Sequence, residues 1–128
     1  MGKKTNFDLE LFFAALADKT RLRLLNLMRE GEVCVCFFAG TLDTNNPKVS
    51  RHLSYLKRAG LVDGRRDGKW MHYRIRRPEN PLAAEVFDAT MKLLAADDEM
   101  NADIRQYADF CCSPNAPVTI VGRAKVTA

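Results

Sequence analysis

The stretch between Asn45 and Arg77 constrains this chain more than any other, because its helix, stop and turn signals follow one another in close order. Asp43-Thr44-Asn45-Asn46 is turn and N-cap chemistry. Pro47 suits the first helical position, where its missing N–H would have no partner anyway. The spacing predicts a helix over residues 47–59, with Val49, Leu53 and Leu56 at i, i+4 and i+7 facing a core. Ser50, Arg51, Ser54, Lys57 and Arg58 fall on the opposite side, as hydroxyl, ammonium and guanidinium groups suited to phosphate oxygens and guanine edges. Gly60 stops that helix, and Leu61-Val62 opens a strand running to about Arg66. Asp67-Gly68 is a two-residue hairpin signal, and residues 69–76 return as the second strand.

The flanking sequence reads as helices. Phe7, Leu11, Phe12, Ala15 and Leu16 recur at helical spacing over residues 6–17, and Leu22, Leu25 and Met28 share a face over 20–30, which Gly31 ends. A short helix over 35–42 precedes the turn before Pro47, and Pro78 to Pro81 breaks the chain before one long helix over 82–107. That last helix carries Leu82, Val86, Leu93 and Leu94, suited to a dimer contact or to packing on the domain's own core. A short helix, a turn, a basic-faced helix and a basic hairpin make a winged helix-turn-helix. The expected fold is mainly α with a β-hairpin wing, an α+β class with five helices. Residues 1–112 form the expected domain, and the Ser-, Pro- and Ala-rich residues 113–128 a flexible tail.

Charge sharpens this reading. Residues 48–77 hold ten Lys and Arg against two acids, a net +8, while the other 98 residues hold ten bases and fourteen acids, a net −4. A basic segment on an acidic body is the electrostatic footprint of polyanion binding. A charge run alone also fits a merely solvated face, and the helix-and-hairpin spacing decides for nucleic acid. At 128 residues and 47% hydrophobic content the chain suits one folded domain and excludes wholesale disorder. No apolar run reaches the roughly 18 residues of a membrane span, and Asp8 and Glu10 interrupt any signal-peptide pattern. A cytoplasmic protein is expected, in which four cysteines serve as thiols or metal ligands rather than disulfides.

Four segments carry a resemblance: LADKTRLRLLNLM (16–28), EVCVC (32–36), NNPKVSRHLSYLKRAGLV (45–62) and RRDGKWMHYRI (65–75). Together they resemble the ArsR/SmtB metal-responsive repressors, most closely the arsenic-sensing branch, over roughly residues 7 to 100. The resemblance implies a homodimer joined through its first and last helices, bound to double-stranded operator DNA and released by an inducer. It places Lys48, Ser50, Arg51, His52 and Ser54 at the DNA on the recognition helix, with Lys57 on the same face, and Arg65, Arg66 and Lys69 on the wing. Trp70 and Tyr73 are expected to hold the wing onto the body. His52 suits a DNA or phosphate contact and His72 a structural hydrogen bond. Two departures stand out. Phe37-Phe38 replaces the Asp-Leu that often follows Cys-Val-Cys in arsenic sensors, and Ala39 stands where some members place a third cysteine.

Cys34, Cys36, Cys111 and Cys112 are the candidate ligands. On a regular helix the i and i+2 side chains of Cys34 and Cys36 point about 200° apart, so one ion taking both is expected to distort the start of the third helix and weaken DNA binding. Trivalent arsenic or antimony taking three thiolates needs one pair plus a third sulfur, from the other pair or the other subunit; a monomethyl arsenical needs only two. No cofactor is required. Cadmium or lead also suit thiolates, while residues 82–107 lack the histidines of a zinc site. Thiol oxidation is an alternative trigger. A small thiol-based arsenate reductase is disfavoured, because no glycine-rich anion loop follows a cysteine.

Overall fold

The computed structural model describes residues 7–111; the side chain of Cys111, together with Cys112 and the 113–128 segment read above as a tail, lies outside the described residues. Six helices and three strands follow in the order α1 (Leu9–Leu16), α2 (Lys19–Leu27), β1 (Val33–Cys34), α3 (Val35–Leu42), α4 (Asn46–Arg58), β2 (Val62–Asp67), β3 (Trp70–Ile75), α5 (Pro81–Ala95) and α6 (Asp98–Cys111). The sheet is antiparallel with order β1-β3-β2. The winged arrangement expected from the sequence is present, with one helix more.

Side-chain caps set most of the helix starts. Asp8, Asp18 and Asn45 accept from the backbone N–H of Leu11, Arg21 and Lys48, and Asn80 accepts from Leu82 and Ala83. The same device divides the long helix expected over residues 82–107. Ala96 caps α5 at its C-terminal end, and the Asp97 carboxylate accepts from the backbone N–H of Met100 at 3.0 Å, restarting the chain as α6. Asp98 and Glu99 then place negative charge on the first turn, where the helix dipole favours it.

The consequence is a reversal of direction. Instead of extending, α6 folds back on α2 and α3. Arg23 grips Asp103 through Nε and a terminal nitrogen at 2.7 and 3.0 Å, Asn26 donates to the Met100 carbonyl at 2.8 Å, and Arg29 donates to Asn101 at 2.7 Å. Phe37 meets Tyr107 and Phe110 edge-on. The Phe37-Phe38 pair is therefore core, fully buried beneath α6.

Around it lie Phe12, Leu24, Leu25, Val49, Leu53, Leu56 and Leu61, also fully buried. The three apolar positions expected to face inward from α4 are among them. The hairpin turns one residue later than expected: Asp67 pairs with Trp70, leaving Gly68-Lys69 as the loop. Gly68 has φ 64° while Lys69 does not take a positive φ. That fits a type II′ turn, which places its glycine first and matches the twist of the strands.

Candidate nucleic-acid interface and thiol pair

Val49, Leu53 and Leu56 fix the rotation of α4 by burying one stripe of it, so Lys48, Ser50, Arg51, Ser54 and Lys57 are exposed together on the other. His52 is placed differently. Its Nδ1 lies 3.2 Å from an Arg21 nitrogen and 3.8 Å from an Asp18 carboxylate oxygen, so the ring is turned towards α2. Arg21 itself went unnoticed in the sequence. It donates to the carbonyls of Ala14 and Ala15 at the end of α1 and lies 4.0 Å over the Tyr55 ring of α4. One guanidinium thus joins α1, α2 and the basic helix.

The ten positive charges of residues 48–77 divide into two groups. Arg65 is held by Glu32, Arg77 by Asp88 and Arg76 by Glu79, each at 2.6–2.7 Å, while Arg74 lies 4.0 Å from Asp63. Among the described residues no carboxylate comes within ion-pair distance of Lys48, Arg51, Lys57, Arg58, Arg66 or Lys69. Those uncompensated cations sit on α4 and at the wing, the charge pattern a phosphate backbone needs. Trp70 does not anchor the wing. It closes the hairpin at the exposed tip, with the Lys69 ammonium 5.3 Å from its ring centroid. Tyr73, half-buried against the core, does the anchoring.

Cys34 and Cys36 come together, with their sulfurs 3.2 Å apart. The 200° separation expected above assumed that both are helical, and Cys34 is not. It ends β1 and caps α3 in an extended conformation, φ −76° and ψ 143°, while Cys36 is the second helical residue. The strand-to-helix bend turns both sulfurs to one side with no distortion of α3. Two metal–sulfur bonds of about 2.3 Å, the zinc–thiolate length, at angles of about 90–110° span about 3.3–3.8 Å. The pair is thus set for a single thiophilic atom. Cys34 is buried and Cys36 half-buried. Burial, and then the neighbouring Cys34 sulfur, push the Cys36 thiol up to about 12, so it is protonated at neutral pH. Among the described residues no group of three His, Cys, Asp or Glu is placed to hold a metal ion.

One thiol of the pair is also part of the wing's sheet. Cys34 registers opposite His72 of β3, and His72 opposite Arg65 of β2. Directly before β1, Glu32 accepts from Arg65 at 3.0 and 2.6 Å, a two-pronged ion pair. The Arg65 hydrogen bonds hold the Glu32 carboxyl below its ordinary range. Neither β1 nor Glu32 was read from the sequence, since a two-residue strand has no periodicity to detect.

The chain is similar to known proteins in sequence and fold. The sequence profile of the family described as bacterial regulatory protein, arsR family, matches residues 18–63. The arsenical resistance operon repressor of Escherichia coli K12 is 39% identical over 102 residues, covering 79% of this chain and 86% of that protein. The arsenic resistance transcriptional regulator ArsR1 of Pseudomonas putida is 40% identical over 111 residues, covering 84% of each. Among solved structures, the transcriptional repressor BigR from Xylella fastidiosa superposes with a TM-score of 0.58 at 26% identity, over 70% of this chain and 86% of that one. These are transcriptional regulators rather than enzymes. With its helix-turn-helix and wing and these sequence matches, the chain belongs to the arsR family of bacterial regulatory proteins.

Proposed function

We propose that this chain is a cytoplasmic repressor that binds operator DNA as a homodimer and releases it when a trivalent arsenical, or antimonite, bonds the sulfurs of Cys34 and Cys36. The observation that carries the reading is the 3.2 Å sulfur pair at the junction of the wing's sheet and the first helix of the helix-turn-helix. Lys48, Ser50, Arg51, Ser54 and Lys57 meet the DNA from α4, and Arg66 and Lys69 from the wing. Arsenous acid condenses with each thiol, exchanging an As–O bond for an As–S bond and releasing water. Two thiols leave one hydroxyl on arsenic, which Cys111 or Cys112 can replace; a monomethyl arsenical is satisfied by two. The bound atom and its remaining substituent need room where Cys34 has almost none, so β1 shifts against β3 and the wing moves with it. Release follows because that shifted state binds the inducer better and the DNA worse.

The dimer reading rests on exposed apolar side chains. Leu9 and Phe13 of α1 and Leu82, Val86 and Leu93 of α5 face solvent in the single chain. Oxidation of Cys36 as the trigger is disfavoured because thiolate is the reactive form and its raised pKa suppresses thiolate.

The test is a mobility-shift titration on DNA from upstream of the protein's own gene, with and without arsenite. Wild type is expected to shift the DNA and lose it on adding arsenite. Cys34→Ser and Cys36→Ser are expected to shift it equally and keep it. Release from either variant at wild-type arsenite concentrations sinks the assigned pair. Loss of release only in Cys111→Ser or Cys112→Ser would move the site to the C-terminal pair.

A further inference from the structure

Three strands bring a sensor thiol, an imidazole and a wing arginine onto one rung. Cys34 lies opposite His72, and His72 opposite Arg65. Residues directly opposite in an antiparallel sheet project to the same face, as do residues two apart along a strand. Glu32 lies directly before β1, two residues before Cys34, and its carboxylate closes on the Arg65 guanidinium at 3.0 and 2.6 Å. The pair spans from the β1 edge of the sheet, past β3, to β2. It joins the sheet's outer strands directly, where the backbone joins them only through β3.

We infer that Glu32 is a positioning residue that transmits the state of the Cys34–Cys36 pair to the wing by holding Arg65. The inference rests on the release reading above. Two geometric features carry it. First, Glu32 is separated from Cys34 by Val33 alone and leads directly into β1, so a displacement of β1 at Cys34 carries the carboxylate with it. Second, a two-pronged arginine–carboxylate contact fixes both distance and angle, so Arg65 follows that displacement instead of merely staying near it. With β1 in place, Glu32 keeps the wing in the register seen here, beside the uncompensated cations Arg66 and Lys69. When an arsenical displaces β1, the same contact pulls β2 and turns those cations away from the phosphate backbone. α3 need not change shape for the signal to pass.

The experiment measures operator affinity with and without saturating arsenite and takes the ratio as the coupling. The proteins are full-length wild type, Glu32→Gln, Arg65→Gln, the double variant, and the swapped pair Glu32→Arg with Arg65→Glu. Each is also assayed for the number of thiols that arsenite protects from a thiol reagent. Glu32→Gln is expected to keep wild-type thiol protection while its coupling ratio falls at least fivefold. Arg65→Gln should lower operator affinity and reduce the ratio as much. The double variant should lose no more than either single change, as residues acting through one contact do. The swapped pair should bring the ratio back to within twofold of wild type, which a general loss of packing would not allow. Lys57→Gln, the control, should weaken DNA binding with its ratio unchanged. A wild-type ratio in Glu32→Gln, or loss of its thiol protection, overturns the positioning role while leaving arsenical release standing. A wild-type protein with a ratio of one overturns release and this role together.

Discussion

If the Cys34–Cys36 pair takes the inducer as proposed, the Cys36 proton bears on which inducers suit it. The Cys36 thiol, pushed up to about 12 by burial and by Cys34, keeps its proton throughout the physiological range. Arsenous acid takes that proton away as water, so its binding involves no net proton release. A cadmium ion brings no hydroxide and must expel the proton into solvent. The sign follows directly: raising the pH lowers the cost of losing the proton, and only cadmium gains. Between pH 6 and 8 the cadmium affinity is expected to rise at least about tenfold per pH unit, one proton's worth, while arsenite affinity changes by less than about threefold. Isothermal titration at the two ends of that range checks it, and parallel pH slopes for the two ligands would refute the assignment of a protonated Cys36. The C-x-C spacing was legible in the sequence and its geometry was not. Whether i and i+2 side chains converge depends on where a strand ends and a helix begins, and here that boundary falls between Cys34 and Val35.

At the scale of elements, the cap at Asp97 matters as much as any apolar contact. Asp97 caps α6, and Asp98 and Glu99 fill its first turn. A capping carboxylate followed by first-turn acids was a visible signal, outweighed by the apolar periodicity running from Leu82 to Tyr107. Asp97→Ala removes the bond to Met100 N–H, and a loss of about 1 kcal/mol in urea denaturation is expected. The next contact along is tighter. A Cβ on Gly40 would press on the tip of the Phe110 ring, so with a side chain at residue 40 that ring must shift for α6 to stay seated against α3. Gly40→Ala is expected to cost about 1–3 kcal/mol, as overpacking does, and Gly40→Ala with Phe110→Leu to recover part of it. If Gly40→Ala alone unfolds at the wild-type urea midpoint, α6 does not pack there in solution. By contrast, α4 and the wing were legible almost to the residue. A proline-capped amphipathic helix, a glycine stop and a hairpin glycine are local signals, whereas the return of α6 depends on contacts some 80 residues apart, such as Arg23 with Asp103.

In the proposed dimer, two basic surfaces meet one duplex, and the chain's modest net charge of +4 conceals how concentrated each of them is. Half-sites read by a two-fold dimer lie about one helical turn apart, roughly 34 Å, so the dimer interface sets the spacing of the two α4 helices. Arg21 makes this a mechanical requirement by fastening α1, which exposes Leu9 and Phe13, to Tyr55 and His52 of α4. Leu93, 71% exposed, and Phe13, 48% exposed, are among the apolar groups that a dimer would bury. Phe13→Glu with Leu93→Glu places two charges per chain in that contact and spares the DNA face; because the Phe13 ring packs edge-on against the buried Phe12, helical content is the control. Sedimentation velocity should find the variant monomeric with unchanged helical content. Its operator affinity should fall at least about a hundredfold. Each phosphate neutralised adds about 0.9 to the slope of log affinity against log salt, so one subunit alone should show roughly half the wild-type slope. A variant that remains a dimer places the interface elsewhere. A monomer that keeps the full slope contradicts the symmetric division of phosphate contacts, because one chain would then be meeting them all.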